Sequence, residues 1–426
     1  MPYTEYLGVP LNSLARLLVA CGVLCTVLAG RAAAQGWKPP DPSQDPWNRA
    51  KLKIGPFYMA PSFDLRNVGI DNNVFRDQGN PRQDLTATIA VSTIFGVHFK
   101  AFSLMITQDN RYLWFRRYAS ERSIDGGLTG LVELRLQNLR PWLLLANLKS
   151  TDRSGFEVDT RAARRTPTYE AGVDLSLGHR TGVTAGFSNK RTEYSEAQFF
   201  DGVDLKKELD NKQAFAHVKG RWQYSEFTDI VGTVEYARNE FTFDPLRSGS
   251  TFSYMVGFQG RGGAPVTGSL NAGYKTQRHD AAGVPDFKGF VLSGSVSTVA
   301  FDRLKLDLLG DRDLFFSYDP NYPFYVQQGG GLTVTARVST RLDLIGSARG
   351  EWLRYSESFL TAALPNELNT SRTDTATVLG AGFLYTVGGI AGSHFGLTFE
   401  RAERMSPLPK KNYRNDRVLT NLKFSF

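Results

Sequence analysis

After residue 34 this sequence has no cysteine. Only two occur in its 426 residues, Cys21 and Cys25, both inside the N-terminal apolar run. Disulfides and thiolate metal sites are therefore excluded from the rest of the chain. Long apolar runs are equally scarce: beyond residue 34 none approaches the roughly 18 residues that a spanning helix needs. Blocks of one charge sign are missing too. The formal charge is +8, but Lys and Arg are scattered singly rather than gathered in the runs that grip nucleic acid. Five histidines are present, and none falls in a Ser/His/acid arrangement or a metal-ligand spacing. Neither an enzyme, nor a cofactor, nor a nucleic-acid partner is expected.

The one long apolar run is LARLLVACGVLCTVLAGRAAA, residues 14–34. Arg16 precedes an apolar core from Leu17 to Gly30, and Ala32-Ala33-Ala34 follows. This is the pattern of a secretory signal cleaved between Ala34 and Gln35. Leu18-Val19-Ala20-Cys21 looks like a lipobox, but only three apolar residues separate Arg16 from Ala20, too few for a signal core. The expected division is a cleaved signal over 1–34, an extended periplasmic tail over 35–55 and one β-domain over 56–426. An exported chain with neither disulfides nor a helical anchor must be stabilised another way.

What the sequence has instead is alternation. Phe252, Tyr254, Val256 and Phe258 alternate with Ser253, Met255, Gly257 and Gln259, and Leu332, Val334, Ala336 and Val338 with Thr333, Thr335 and Arg337. Period two marks a strand whose two faces meet different surroundings. Such segments predict strands near 56–66, 84–95, 97–107, 127–137, 141–150 and 168–178. They continue near 181–193, 211–223, 227–241, 250–261, 264–276 and 287–298. The last six lie near 300–312, 324–338, 341–356, 371–387, 391–404 and 413–426.

The gaps between these segments are short and long in strict turn. That is how outer-membrane barrels are built, with short periplasmic turns and longer outer loops. A soluble sandwich or propeller gives turn lengths no reason to alternate. The expectation is an all-β fold: a closed antiparallel transmembrane β-barrel of about 18 strands. Trp142, Trp222, Phe258, Tyr385, Phe395 and Phe426 would form one aromatic belt on its lipid face, near the tight turns. Tyr169, Tyr236, Phe252, Tyr274 and Trp352 would form the other, near the long loops.

On the opposite face the pattern places Glu133, Arg135, Lys219, Arg221, Lys305, Asp307, Arg337, Asp343, Arg349 and Glu351. These are the candidates for lining a lumen, where opposed charges would order water and screen solutes. The stretch LFFSYDPNYPFY, residues 314–325, is unusually aromatic. It reads best as an interfacial and outer-loop cluster; the alternatives are a saccharide-contacting loop or one that folds inward.

Several short segments carry a family resemblance. Residues 55–78, GPFYMAPSFDLRNVGIDNNVFRDQ, join a Pro-containing strand to Asp71-Asn72-Asn73-Val74-Phe75. Later come Arg349-Gly350-Glu351-Trp352 with Tyr355 and Ser356, then Arg372-Thr373-Asp374, then Tyr385. Together these resemble the putative β-barrel porin 2 family. The resemblance implies an outer-membrane barrel, some relatives being linked to exopolysaccharide export, with no catalytic residues to carry over. Asp71 and Asn73 are expected to stabilise a turn through their side chains, rather than to bind a cation.

The functional expectation is a porin-like channel for small solutes, or the outer-membrane conduit of an exopolysaccharide exporter. The alternative is a non-conducting barrel that serves adhesion or surface assembly through its outer loops. Expected partners are outer-membrane lipid and lipopolysaccharide, the barrel-assembly machinery, and polysaccharide export components. The C-terminal strand alternates Leu422, Phe424 and Phe426 with Asn421, Lys423 and Ser425. Its aromatic ending, Phe424 and Phe426, resembles the signal read by that machinery. Deleting Phe426, or adding polar residues after it, is expected to lower the amount of inserted barrel in outer-membrane fractions. Unchanged insertion would remove that role.

Overall fold

Alternation becomes strand pairing along most of the chain. The computed structural model describes residues 47, 50, 52–260, 266–358, 372–387 and 393–425. The segment 1–34, the pair Ala34 and Gln35, and Phe426 lie outside these residues. We number the long strands in chain order. β1 is Phe57–Asp71, β2 Asp84–His98, β3 Phe102–Phe115, β4 Ser123–Leu134, β5 Leu139–Ser150 and β6 Arg164–Ser176. β7 is Thr181–Tyr194, β8 Asn211–Gln223, β9 Thr228–Phe241, β10 Gly249–Gly260, β11 Val266–His279 and β12 Phe287–Ala300. β13 is Leu304–Phe316, β14 Phe324–Arg337, β15 Leu342–Tyr355, β16 Thr373–Thr386, β17 His394–Met405 and β18 Tyr413–Ser425.

Each strand pairs antiparallel with the next, and β18 returns to β1 through Phe63↔Phe424, Asp64↔Lys423 and Leu65↔Leu422. The result is a closed antiparallel barrel of 18 strands. Closure leaves no strand edge, the condition for a sheet to cross lipid with its backbone satisfied. The seam holds a bulge at Asn67, whose φ of 54° suits asparagine better than a branched residue. Asn67 N–H donates to Asn421 Oδ1 at 2.9 Å, and Thr420 Oγ1 donates to the Val68 carbonyl at 2.9 Å.

The two faces divide as the alternation requires. Phe252, Tyr254, Val256 and Phe258 of β10 are exposed on the outside, whereas Ser253 and Gly257 are buried on the inner face. Trp222, Phe258, Tyr385 and Phe395 are exposed near the tight turns, and Tyr169, Tyr236, Phe252, Tyr274 and Trp352 near the long loops. Trp142 departs from this pattern: it is 4% exposed and packs with Leu131 and Leu144. The run Leu143-Leu144-Leu145 conceals the parity of β5, and the register decides it. Trp142 stands directly opposite Glu133 on β4, so the two share the inner face. Gly172, its partner on β6, leaves room for the indole: a Cβ there would collide with the ring.

Other expectations also shift. β3 runs over 102–115 rather than 97–107, β4 starts at Ser123, and the first tight turn lies at 99–101. Gln108, Asp109, Asn110 and Arg111 read as loop in sequence, yet they are strand because the sheet continues past the apolar band. The spacing from Thr386 to His394 equals that from Phe115 to Ser123, so the alternation of connection lengths is looser than the sequence suggested. Within the expected tail, Leu52–Ile54 is a short strand paired with Phe57–Met59. Trp47 stacks on His98 at 5.3 Å and meets Tyr58 edge-on at 5.7 Å, so this segment lies against the tight-turn end of the barrel.

Candidate functional site

The loop between β5 and β6, residues 151–163, does not stand clear of the barrel. It turns into the lumen, where Val158 and Ala162 are buried with Tyr194, Leu205 and Tyr318. Burying so polar a segment requires partners for its carboxylates and backbone carbonyls. Arg404 of β17 supplies three of them. Its Nη1 donates to the carbonyls of Phe156 and Glu157, each at 2.9 Å, and pairs with the Asp159 carboxylate. Its Nη2 donates to Asp374 Oδ2 at 2.6 Å.

Further arginines complete the grip. Arg76 Nη1 donates to Asp159 Oδ1 and to the Tyr413 hydroxyl, both at 3.0 Å. Arg153, inside the loop, donates to the Asp159 and Val74 carbonyls at 2.6 Å each. Arg372 forks onto Asp374 at 3.0 and 2.7 Å, lies 4.0 Å over the Tyr355 ring and reaches Asp319 at 3.3 Å. Bidentate pairing of this kind fixes orientation as well as charge.

Glu157 ties the same loop to the one between β13 and β14. Ser317 Oγ donates to its Oε1 at 2.6 Å and Tyr318 N–H to its Oε2 at 3.2 Å. Burial pushes the Glu157 carboxyl up to about 7, against the pull of the Ser317 hydrogen bond and of Arg372 and Arg404. The aromatic stretch 314–325 is therefore no interfacial cluster: Tyr318, Tyr322, Phe324 and Tyr325 are buried. Tyr318 donates through its hydroxyl to Asp201 at 3.2 Å. Lys411 pairs with Asp201 and lies over the rings of Phe200 and Tyr318, at 4.3 and 4.5 Å. Arg247, fully buried, donates to the Ser317 and Asp319 carbonyls and pairs with Glu208 at 2.9 Å and Asp244 at 2.7 Å. Loops from around the ring thus lock into one plug at the outer mouth.

Below the plug, the residues singled out from sequence occur largely as polar pairs. Glu133 lies 3.5 Å from Arg135, Arg221 3.4 Å from Asp229, Lys305 2.8 Å from Asp307 and Arg337 3.6 Å from Asp343. Lys219 Nζ donates to Gln259 at 3.4 Å. Arg349 meets Glu351 at 2.5 Å and Asp311 at 3.7 Å, and Gln327 donates to Glu351 at 3.1 Å. Gly329 lets the Glu351 carboxylate lie flat, since a Cβ there would collide with it. Beside the plug a cavity of about 320 Å³ is lined by Arg66, Asn67, Thr88, Arg111, Leu113 and Asp152. Arg111 is held 3.1 Å from Asp152, at the base of the inward loop.

The plug anchors Arg76, Arg153, Glu157, Asp159 and Arg404 were not among the residues chosen from sequence. A signal was nonetheless present. Arg372-Thr373-Asp374 and Tyr355, quoted above for their resemblance, form the clamp that holds Arg404. The Asp71–Asn73 segment presents Val74 to Arg153. Asp71 itself accepts from Asn73 N–H at 2.9 Å and Asn415 Nδ2 at 2.5 Å, so it braces a turn.

The profile of the putative beta-barrel porin 2 family matches residues 45–426. No curated protein matches the sequence. Among solved structures the chain is similar to the outer membrane protein opdK from Pseudomonas aeruginosa, at 9% identity and TM-score 0.50, covering 86% of this chain and 99% of that one. It is also similar to OccK9 (OpdG) of the same organism, at 11% identity and TM-score 0.51, covering 86% and 98%. A BenF-like porin from Pseudomonas fluorescens Pf-5 gives 10% identity and TM-score 0.50, covering 86% and 99%. At such identities the likeness is one of fold, that of an outer-membrane porin barrel. Family and fold together indicate an outer-membrane location.

Proposed function

This chain belongs to the putative beta-barrel porin 2 family, and from that premise we propose that it passes small solutes through a lumen whose outer mouth its own loops close. The observation that carries this reading is the crossing of the lumen by residues 151–163, pinned to Arg404, 245 positions from Asp159. Barrels of about 16–18 strands leave an aqueous channel unless something fills them. Here the filling is largely a set of ion pairs and hydrogen bonds, which rearrange more readily than an interlocked apolar core. A small solute needs only a shift of one loop. A polysaccharide strand needs the whole plug to leave, so the small-solute reading is favoured over an export conduit.

The test is conductance in planar bilayers, with wild-type protein and a variant whose residues 152–162 are replaced by a short Gly-Ser link. The expected result is small, intermittent steps for wild type and larger, persistent ones for the variant. Liposome-swelling assays with mono- and oligosaccharides then set the size limit. Passage of long oligosaccharides by the wild type would favour the conduit. Silence of both proteins would leave a structural barrel that serves through its outer loops.

A further inference from the structure

The outer face carries charge where a lipid-facing wall should have little, and the charge is unevenly spread around the ring. At the long-loop ends of β5 to β8 and of β11 and β12, Lys149, Arg165, Arg191, Lys212, Arg278 and Lys288 are exposed. The register brings them together. Lys149 stands opposite Arg165, Arg191 opposite Lys212, and Arg238 reaches Arg278 across Ser250. Each lies on the face that carries exposed apolar side chains: Arg165 is on the same face of β6 as Tyr169, Arg191 as Phe187, Arg278 as Tyr274 and Lys288 as Phe290. Spacings of two or four residues correspond to about 7–14 Å along a strand. The basic band therefore sits just outside the aromatic belt.

Acidic neighbours cancel only part of it. Arg191 pairs with Glu193 at 2.8 Å, and Arg238 forks onto Asp280 at 2.7 and 2.6 Å. Among the described residues, Lys149, Arg165, Lys212, Arg278 and Lys288 form no ion pair, although the register sets Glu193 opposite Arg165 and Glu240 opposite Lys212, so the arc keeps a net positive charge. The wall of β17 and β18 is different. There Arg401 pairs with Asp416 at 2.6 Å and Arg414 with Glu403 at 3.5 Å, so the outward charges close on themselves. At the same level β1 to β4 present Ile70, Leu85, Tyr112 and Ile124.

We propose that the β5–β12 arc binds the phosphates of a phosphorylated glycolipid in the outer leaflet, the lipid A part of lipopolysaccharide. The level fits, because headgroups begin where interfacial aromatics end. The chemistry fits as well: flexible lysines and forked arginines along a curved wall suit several phosphates held at a fixed height. A soluble protein partner would not require the cations to follow the aromatic belt from strand to strand. This inference rests on the membrane placement of the outer face and is independent of whether the lumen conducts.

The test uses the full-length barrel purified in a mild non-ionic detergent, titrated with bisphosphorylated lipid A and followed by native mass spectrometry. Wild type is expected to bind it, more weakly at high salt, and to bind a fully dephosphorylated form at least tenfold more weakly. A Lys149→Gln/Arg165→Gln/Lys212→Gln/Lys288→Gln variant is expected to lose at least tenfold in affinity. Arg401→Gln/Asp416→Asn, on the neutral wall, is expected to match wild type. Binding by the fourfold variant within twofold of wild type, with its strand circular dichroism intact, would overturn the proposal. So would an equal loss in the neutral-wall variant, or equal binding of the dephosphorylated form. Should the fourfold variant fail to fold, single Lys212→Gln and Lys288→Gln variants decide, each expected to lose about threefold.

Discussion

Replacing Arg404 by methionine is expected to release the inward loop and raise the open probability of the channel about a hundredfold. The guanidinium is buried and serves two loop carbonyls, the Asp159 carboxylate and Asp374 at once. Methionine fills similar volume but donates nothing. Breaking a buried pair by removing one partner costs on the order of 3–5 kcal/mol, because the charge left behind stays desolvated. Part of that cost is recovered, since Asp159 keeps Arg76 and Asp374 keeps Arg372. About 3 kcal/mol against the closed loop remains, and each 1.4 kcal/mol is tenfold in the equilibrium. Single-channel recordings read the effect directly. Heat-modifiable gel migration reports whether the barrel itself is intact, as expected of a ring held by backbone pairing. A folded variant with the conductance of wild type would show that Arg404 does not hold the gate.

Conductance should also rise with pH, and Glu157 should carry the dependence. In the closed plug its carboxyl titrates near 7, whereas its ordinary value is 4.5. A released loop would leave it in water, near that ordinary value. The closed state thus holds the proton more tightly, so protonation favours closure. This contribution is complete below about 4.5, weakens as pH rises, and is lost above about 7. Its full size is up to roughly 3 kcal/mol, since one pKa unit corresponds to about 1.4 kcal/mol. Arg372 and Arg404, the nearest cations, remain charged across the range, and Asp319 adds repulsion once Glu157 ionises. Recordings at pH 5.5 and 8.0 should therefore show longer openings at the higher value. Glu157→Gln keeps acceptors for Ser317 and Tyr318 but cannot ionise, so it should stay closed at both. A pH dependence that survives in that variant would assign it to another group.

Much of the wall was legible in advance because each strand reports its own surroundings. Phe252 to Phe258 alternate whatever the rest of the chain does, since lipid lies on one side and the lumen on the other. Where a strand carries three leucines in a row, as β5 does, that local report fails. Trp142 then takes its face from Glu133 across the ladder. Polar strand ends such as Gln108 to Arg111 misled for a related reason: strands outlast the apolar band, and composition alone cannot distinguish a wetted strand from a loop.

The site was less legible. Lys305 and Asp307, or Arg349 and Glu351, can be placed on one face by parity, because their pairing is local. The plug cannot be found that way. The residues that bind Glu157 lie 160 and 161 positions along the chain, and those that bind Asp159 are Arg76, in the loop after β1, and Arg404, near the end of β17. No periodicity marks a loop that turns inward rather than outward. By itself the sequence determined a closed, even-stranded barrel with its lipid and lumen faces, because a two-solvent boundary imposes period two on every strand. Only the tertiary structure decided that the outer mouth is shut. That outcome depends on ring closure bringing Arg76, Arg372 and Arg404 within hydrogen-bonding reach of carboxylates and carbonyls far away in the chain.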